Sequence, residues 1–228
     1  MQNDDKRLAA LAAVAEIRNG MLVGLGTGST AAHAIAAIGA RVAEGMQLTA
    51  VATSQASAAQ ARSLGIRVLA MEDVAAVDLT IDGADEIDGL CRAVKGAGGA
   101  MVREKIVAAA SARMVVIADG SKRVDRIGAA KLPVEVLPFA LSFVAAALER
   151  LGAAVEVRRT DGAVVATDNG NMVLDARFAA MADPAALAAA LDATPGVVGH
   201  GLFLQEVDAA YVATGGVVVR LERPAACG

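Results

Sequence analysis

Along its first half the chain alternates short apolar runs with helical patterns. Residues 4–18 predict a helix, 21–25 a buried strand and the Ala/Ile segment 30–43 a second helix. A strand at 48–52 and a helix at 54–64 follow, with Thr53 or Ser54 as the helix cap. Short β-branched runs occupy 67–69, 77–81 and 114–118, with a helix at 101–111 between the last two. Continuous apolar strands bounded by turns, with helices between them, predict a parallel sheet covered on both faces.

The second half changes rhythm. Pro133 and Pro138 bracket a strand at 134–137, then 139–151 is helical and 154–158 extended. Residues 164–167 and 172–175 are expected to pair across Asp168-Asn169-Gly170-Asn171, a hairpin signal. Residues 184–191 predict a helix with Asp183 at its N-cap and Pro184 at its first position. From 197 the chain is extended again. This order is close to β-α-β-β-α-β. The closing runs, 210–214 and 217–221, are expected to rejoin the first sheet. The fold class expected is thus α/β, an open parallel-rich sheet domain carrying a smaller α+β domain.

Composition narrows the function classes. The 228 residues carry 21 Lys and Arg against 25 Asp and Glu, a net charge of −4, and 56% are hydrophobic. That is too apolar for a disordered chain and too acidic for a nucleic-acid binder held by counterion release. Aromatics are 2% with no Trp, which argues against base-stacking platforms. Roughly a quarter of the residues are Ala, far above ordinary usage. Cys91 and Cys227 lie far apart, so neither a disulfide framework nor a thiolate zinc site is expected, and a reducing cytoplasm fits. The uncharged stretch 19–40 is long enough to span a membrane, but Gly24-Leu25-Gly26-Thr27-Gly28-Ser29-Thr30 interrupts it with turn chemistry. No secretion signal is expected at the N-terminus, where Asp4 and Asp5 offset Lys6 and Arg7.

Three segments carry candidate chemistry. The first is the glycine loop, a strand-turn-helix whose backbone N–H groups and helix dipole favour an anion. Thr27, Ser29 and Thr30 add hydroxyls around Gly28. A dinucleotide fingerprint needs Gly where Ser29 stands, and a P-loop needs a Lys after Gly28, so a small phosphate ester is the best match. The second is Asp82-Gly83-Ala84-Asp85-Glu86-Ile87-Asp88, after a strand end where ligands bind in open α/β sheets. Two of its carboxylates facing a sugar could accept and shuttle hydroxyl protons. The third is Lys95-Gly96-Ala97-Gly98-Gly99, followed by a helix that bears Arg103-Glu104-Lys105. A carboxylate beside an ammonium is the minimal kit for pulling a proton from carbon next to a carbonyl. The helix dipole and Lys95 favour ionised Glu104, while desolvation opposes it. Lys122 also follows a strand end, and Lys6 lies in the first helix. His33 and His200 are isolated, and no paired-His motif suggests a metal.

Taken together these segments resemble the type A ribose-5-phosphate isomerases. The likeness rests on the glycine loop, Asp82-Gly83-Ala84-Asp85-Glu86, Lys95-Gly96-Ala97-Gly98 with Arg103-Glu104-Lys105, and Ser121-Lys122. Leu132-Pro133-Val134-Glu135-Val136 and Thr167-Asp168-Asn169-Gly170-Asn171 match as well, so six blocks recur in order. Ala97 stands where the family usually has Gly, and the tail from Pro224 matches nothing.

The resemblance implies an aldose–ketose isomerase acting on ribose 5-phosphate and ribulose 5-phosphate through a cis-enediolate. It implies Glu104 as the base between C2 and C1, Asp82 and Asp85 on the sugar hydroxyls, and Lys95 as enediolate stabiliser. Thr27, Gly28, Ser29, Thr30, Gly83, Ala84, Gly96, Ala97, Gly98, Lys122 and Lys6 would complete the substrate site. It also implies a Rossmann-like domain (1–127 and 203–228), a ferredoxin-like domain (128–202), no metal or organic cofactor, and a homodimer or homotetramer. Neither nucleic acid nor membrane is an expected partner. The rival reading is a sugar-phosphate-sensing effector domain without turnover. The roughly 20 residues ahead of the glycine loop are fewer than a helix-turn-helix and linker need, and Glu104 with Lys95 favours catalysis.

Overall fold

The computed structural model describes residues 1–224; residues 225–228, including Cys227 and most of the unmatched tail, lie outside the described residues. The first half comprises α1 (Gln2–Val14), β1 (Leu22–Leu25), α2 (Ser29–Ala43), β2 (Thr49–Ala52), α3 (Gln55–Ser63), β3 (Arg67–Val68), β4 (Leu79–Gly83), β5 (Glu86–Ile87), β6 (Ala93–Val94), α4 (Met101–Ala109) and β7 (Met114–Asp119). The second comprises β8 (Leu132–Val136), α5 (Leu141–Arg150), β9 (Ala153–Val157), β10 (Arg159–Thr160), β11 (Ala163–Val164), β12 (Met172–Phe178), α6 (Pro184–Asp192), β13 (Val197–His200), β14 (Leu202–Phe203), β15 (Ala209–Thr214) and β16 (Val217–Glu222). None of the described helices is long and apolar enough to cross a membrane.

Seven strands form one sheet in the order β16-β15-β7-β4-β1-β2-β3, parallel except for the β15–β16 pair. Side-chain alternation along β7 divides the core. Val115 and Ile117 pack into the layer under α1 and α2, while Met114, Val116 and Ala118 face the opposite layer with Ala108 of α4. Each such buried aliphatic contributes roughly 1.5–3 kcal/mol relative to exposure. Order reverses between β1 and β4, which places a ligand crevice beyond their carboxyl ends.

A four-stranded antiparallel sheet, order β13-β8-β12-β9, carries α5 and α6, whose Val144, Leu148 and Leu191 close its core. Asp183 caps α6 by accepting from the Ala185 and Ala186 N–H groups, as the Asp-Pro pattern predicts. Ser54 caps α3, accepting from the Ser57 N–H.

Four expectations need correction. First, β4 extends to Gly83 rather than ending at 81, because Asp82 and Gly83 continue to pair with Val116 and Ile117 of β7. Asp82 is therefore a strand residue, not part of a turn. Second, the segment after β4 is not one acidic loop. β5 and β6 join β14 in a small antiparallel sheet whose two-residue strands are too short to leave a periodic signal. Third, β11 pairs with β10, and a single bridge, Ala166 to Met172, spans the Asp168–Asn171 turn. Both edges of β12 are already taken by β8 and β9. Fourth, α1 stops at Val14, and Glu16 beyond it is tied to Arg113 and Tyr211.

Candidate active site

The glycine loop leaves β1 and enters α2 at Gly28, which caps the helix with no side-chain hydrogen bond. Its first N–H groups are left for an anion. The loop is fixed from behind. Thr27 donates its N–H to Asp82 Oδ1 (2.9 Å), the Thr27 and Thr53 hydroxyls meet at 2.7 Å, and Ser57 Oγ donates to the Gly26 carbonyl (2.6 Å). Gly26 admits no side chain, since a Cβ there would overlap the Asp82 carboxylate. Lys6, from α1, donates to Ser29 Oγ (3.0 Å), and Lys122 arrives from the turn after β7. Three separate stretches of chain thus converge on one end of a cavity of about 290 Å³.

The same cavity is also lined by Gly83, Ala84, Asp85, Lys95, Gly96, Ala97, Gly98 and Glu104. Lys95 follows β6 and is 2% exposed. Its Nζ lies 2.9 Å from Asp82 Oδ2 and 3.4 Å from Glu104 Oε2, donates to the Gly83 carbonyl, and sits 5.4 Å from the centre of the Phe203 ring. Burial works against this ammonium, but Asp82 and Glu104 outweigh it and hold the Lys95 pKa above its ordinary value. Glu104, in the first turn of α4, is 3% exposed. Burial and then the Asp82 charge push its pKa up to about 8, against the opposing pull of Lys95. The contest between dipole, lysine and desolvation is therefore won by desolvation. Glu104 Oε2 is buried and accepts no hydrogen bond, its charge partner being the Lys95 ammonium at 3.4 Å, and the residue lines the cavity.

Of the residues that the resemblance assigns to catalysis and substrate binding, all but Asp82 line this cavity. Asp82 is fully buried behind the wall, between the Thr27 and Gly83 N–H groups and Lys95. The other acids of its segment are each separately matched. Asp85 accepts from the Ala97 N–H (2.9 Å), Glu86 from the Gly128 and Ala130 N–H groups, and Asp88 from Arg92. Ala97 fits its loop because the left-handed positions are Gly96 (φ 103°) and Gly99 (φ 78°) on either side of it.

The family model for ribose 5-phosphate isomerase A (phosphoriboisomerase A) matches residues 49–216. The chain belongs to this family. It is 51% identical over 214 residues to the ribose-5-phosphate isomerase A of Sphingopyxis alaskensis, covering 94% of each chain. A D-ribose-5-phosphate isomerase solved in complex with phospho-erythronic acid superposes with a TM-score of 0.94 at 33% identity, over 98% of this chain and 100% of that one. The ribose 5-phosphate isomerase of Plasmodium falciparum superposes with a TM-score of 0.94 at 32% identity, over 98% of this chain and 100% of its own.

Sequence reasoning missed three neighbours of the isomerase-family motifs. Phe203 is wholly buried between Lys95 and Lys105, whose Nζ is 5.1 Å from the ring centre. Thr53 was visible only as a helix cap. Arg158, just after β9, reaches across to the Gly96 and Ala97 carbonyls. No local pattern marks any of them, since each acts over a long sequence separation. The Asp168–Asn171 turn, read as a hairpin, is also a clamp. Asp168 accepts from the Gln55 N–H (2.7 Å), Asn169 accepts from Arg103 (2.8 Å), and buried Glu135 accepts from Thr167, Asn169 and Asn171. His33 shares a hydrogen bond with Asn3, and His200 is buried against Asp192 and Lys105, both outside the cavity.

Proposed function

We propose that this chain interconverts D-ribose 5-phosphate and D-ribulose 5-phosphate through a cis-enediolate, in the non-oxidative branch of the pentose phosphate pathway. One observation carries the mechanism: the buried Glu104 carboxylate, 3.4 Å from the Lys95 ammonium, shares a single cavity with Lys6, Lys122 and the start of α2. The phosphate binds at that helix start, between the two lysines and the Ser29 and Thr30 hydroxyls. This tethers the pentose with C1 and C2 toward Glu104. Asp85, held by the Ala97 N–H, accepts a sugar hydroxyl proton as the ring opens, and buried Asp82 acts through Lys95 and the glycine loop.

Glu104 then takes the proton from C2. The C2–H electron pair forms the C1–C2 double bond, and the carbonyl pair moves onto O1. Lys95 faces that developing negative charge in a site with little water, where a fixed positive charge acts most strongly. A proton passes from O2 to O1, and protonated Glu104 returns its proton to C1, leaving the carbonyl at C2. A base pKa near 8 suits this two-way transfer, because the carboxyl must accept and release a proton in one turnover.

No metal or organic cofactor enters this scheme, the enzyme works in the cytoplasm, and it assembles as a homodimer or homotetramer. The non-catalytic effector reading is disfavoured by the base and ammonium in the cavity and by relatives that are isomerases along most of their length. The decisive experiment incubates purified protein with ribose 5-phosphate in the presence of EDTA and follows ketose formation and solvent-deuterium uptake at C2. Binding without either signal would establish the effector reading instead.

A further inference from the structure

We propose that Arg158, just after β9 of the four-stranded sheet, is a positioning residue that aims the Ala97–Gly98 peptide N–H at the reacting oxygen. Arg158 is 14% exposed and is itself held by Asp175, which accepts from its Nε (3.1 Å) and pairs with Nη2. Its Nη1 donates to the Gly96 and Ala97 carbonyls, both at 2.9 Å. The described peptide bonds are all trans, so each carbonyl pulled toward Arg158 turns the N–H of the same peptide the opposite way.

The first of these N–H groups shows where that direction leads. The Gly96–Ala97 peptide gives its N–H to Asp85, which lines the substrate cavity. The second, on Gly98, makes no hydrogen bond among the described residues, and Gly98 lines the same cavity. Arg158 does not line that cavity; it stands behind the loop, in a neighbouring cleft with Asp175 and Lys131. A guanidinium on one side thus fixes a free donor on the other, in a loop that lines the same cavity as the Lys95 ammonium. A backbone donor aimed at an oxygen that gains charge favours the enediolate over the bound sugar.

The role also explains why Arg stands here. Two adjacent carbonyls and a bidentate carboxylate need a planar fork of donors, which Lys cannot supply. The four-stranded sheet therefore contributes to the reaction without itself touching the sugar.

This inference rests on the isomerase reading, and wild-type turnover of ribose 5-phosphate tests that reading separately. Arg158→Ala is expected to lower kcat by about 10–100-fold, less than outright deletion of an oxyanion donor, while KM for ribose 5-phosphate changes little. Millimolar guanidinium ion should restore part of the lost kcat in Arg158→Ala and leave wild type unaffected. Arg158→Lys should fall between the two. If Arg158→Ala does not fold, Asp175→Asn loosens the same guanidinium and must show the same loss in kcat. An unchanged kcat, a loss confined to KM, or a folded Arg158→Ala that guanidinium does not rescue overturns the proposal. Wild type that turns over normally beside an unaffected variant removes only the role of Arg158.

Discussion

The two ends of the cavity are built on opposite principles. At the glycine-loop end the donors are backbone N–H groups, hydroxyls and two half-buried lysines from α1 and the turn after β7. Those charges keep contact with water. At the Glu104 end Asp82, Lys95 and Glu104 are all at most 3% exposed, and both carboxylates lie within 3.4 Å of the Lys95 ammonium. Removing charges from water there costs several kcal/mol per ion, which the cluster offsets only by close pairing. The difference separates affinity from chemistry. A hydrated, polyvalent set of donors suits a dianion, while a buried cluster suits a carboxylate that must change protonation state.

That contrast can be tested in descending order of effect. Glu104→Gln should lower kcat by about 10²–10⁴-fold, the usual worth of a positioned acid–base group, with KM for ribose 5-phosphate within a few-fold of wild type. Steady-state assays together with loss of C2 proton exchange check this, and near-normal turnover would remove Glu104 from the mechanism. Lys122→Ala should raise KM for ribose 5-phosphate about tenfold, the range of one charged hydrogen bond, and leave kcat close to wild type. Comparison with unphosphorylated ribose sharpens the test, because an equal effect on both sugars would refute a phosphate contact.

The pH profile probes the dry end more finely. A base must be ionised to act, so kcat/KM should climb as pH rises through about 8. In Asp82→Asn the acid limb should move down toward the ordinary carboxylate range, because the Asp82 charge helps to raise Glu104. A limb that stays in place would show that Asp82 and Glu104 are not coupled.

Smallest is the effect on stability. Glu104, whose folded pKa is raised, contributes stability that is full below its ordinary value of 4.5 and lost as pH rises through about 8. His200 runs the other way. Burial, with Lys105 beside it, depresses its pKa to about 4, so its contribution is full above 6.5 and lost as pH falls through about 4. Melting curves of His200→Asn should therefore lose less stability than wild type between pH 6.5 and 4. An identical acid limb in both proteins would discount His200.

Much of this was legible in the sequence, for identifiable reasons. The inner strands of the seven-stranded sheet announced themselves through continuous apolar runs, because strands buried on both faces must be apolar throughout. Asp183-Pro184 and Ser54 marked helix starts through local cap chemistry. The glycine loop pointed to an anion site because backbone N–H groups at a helix start need only a turn to expose them. Three-stretch convergence was not legible: nothing local links Lys6, Ser29 and Lys122, and the match of motif order to a known family stood in for that geometry.

The chain by itself determined which groups are available: a glycine turn, an acidic segment, a lysine before a second glycine turn, and a glutamate at the start of a helix. Local backbone preference and side-chain identity suffice for those. Only the tertiary structure decided their states. It ran β4 on to place Asp82 behind the cavity wall, buried Lys95 between two carboxylates and an aromatic ring, raised Glu104, and brought Arg158 across from another sheet. Burial and charge proximity depend on residues distant in sequence, and a pKa or an aimed peptide is set by what surrounds it in space.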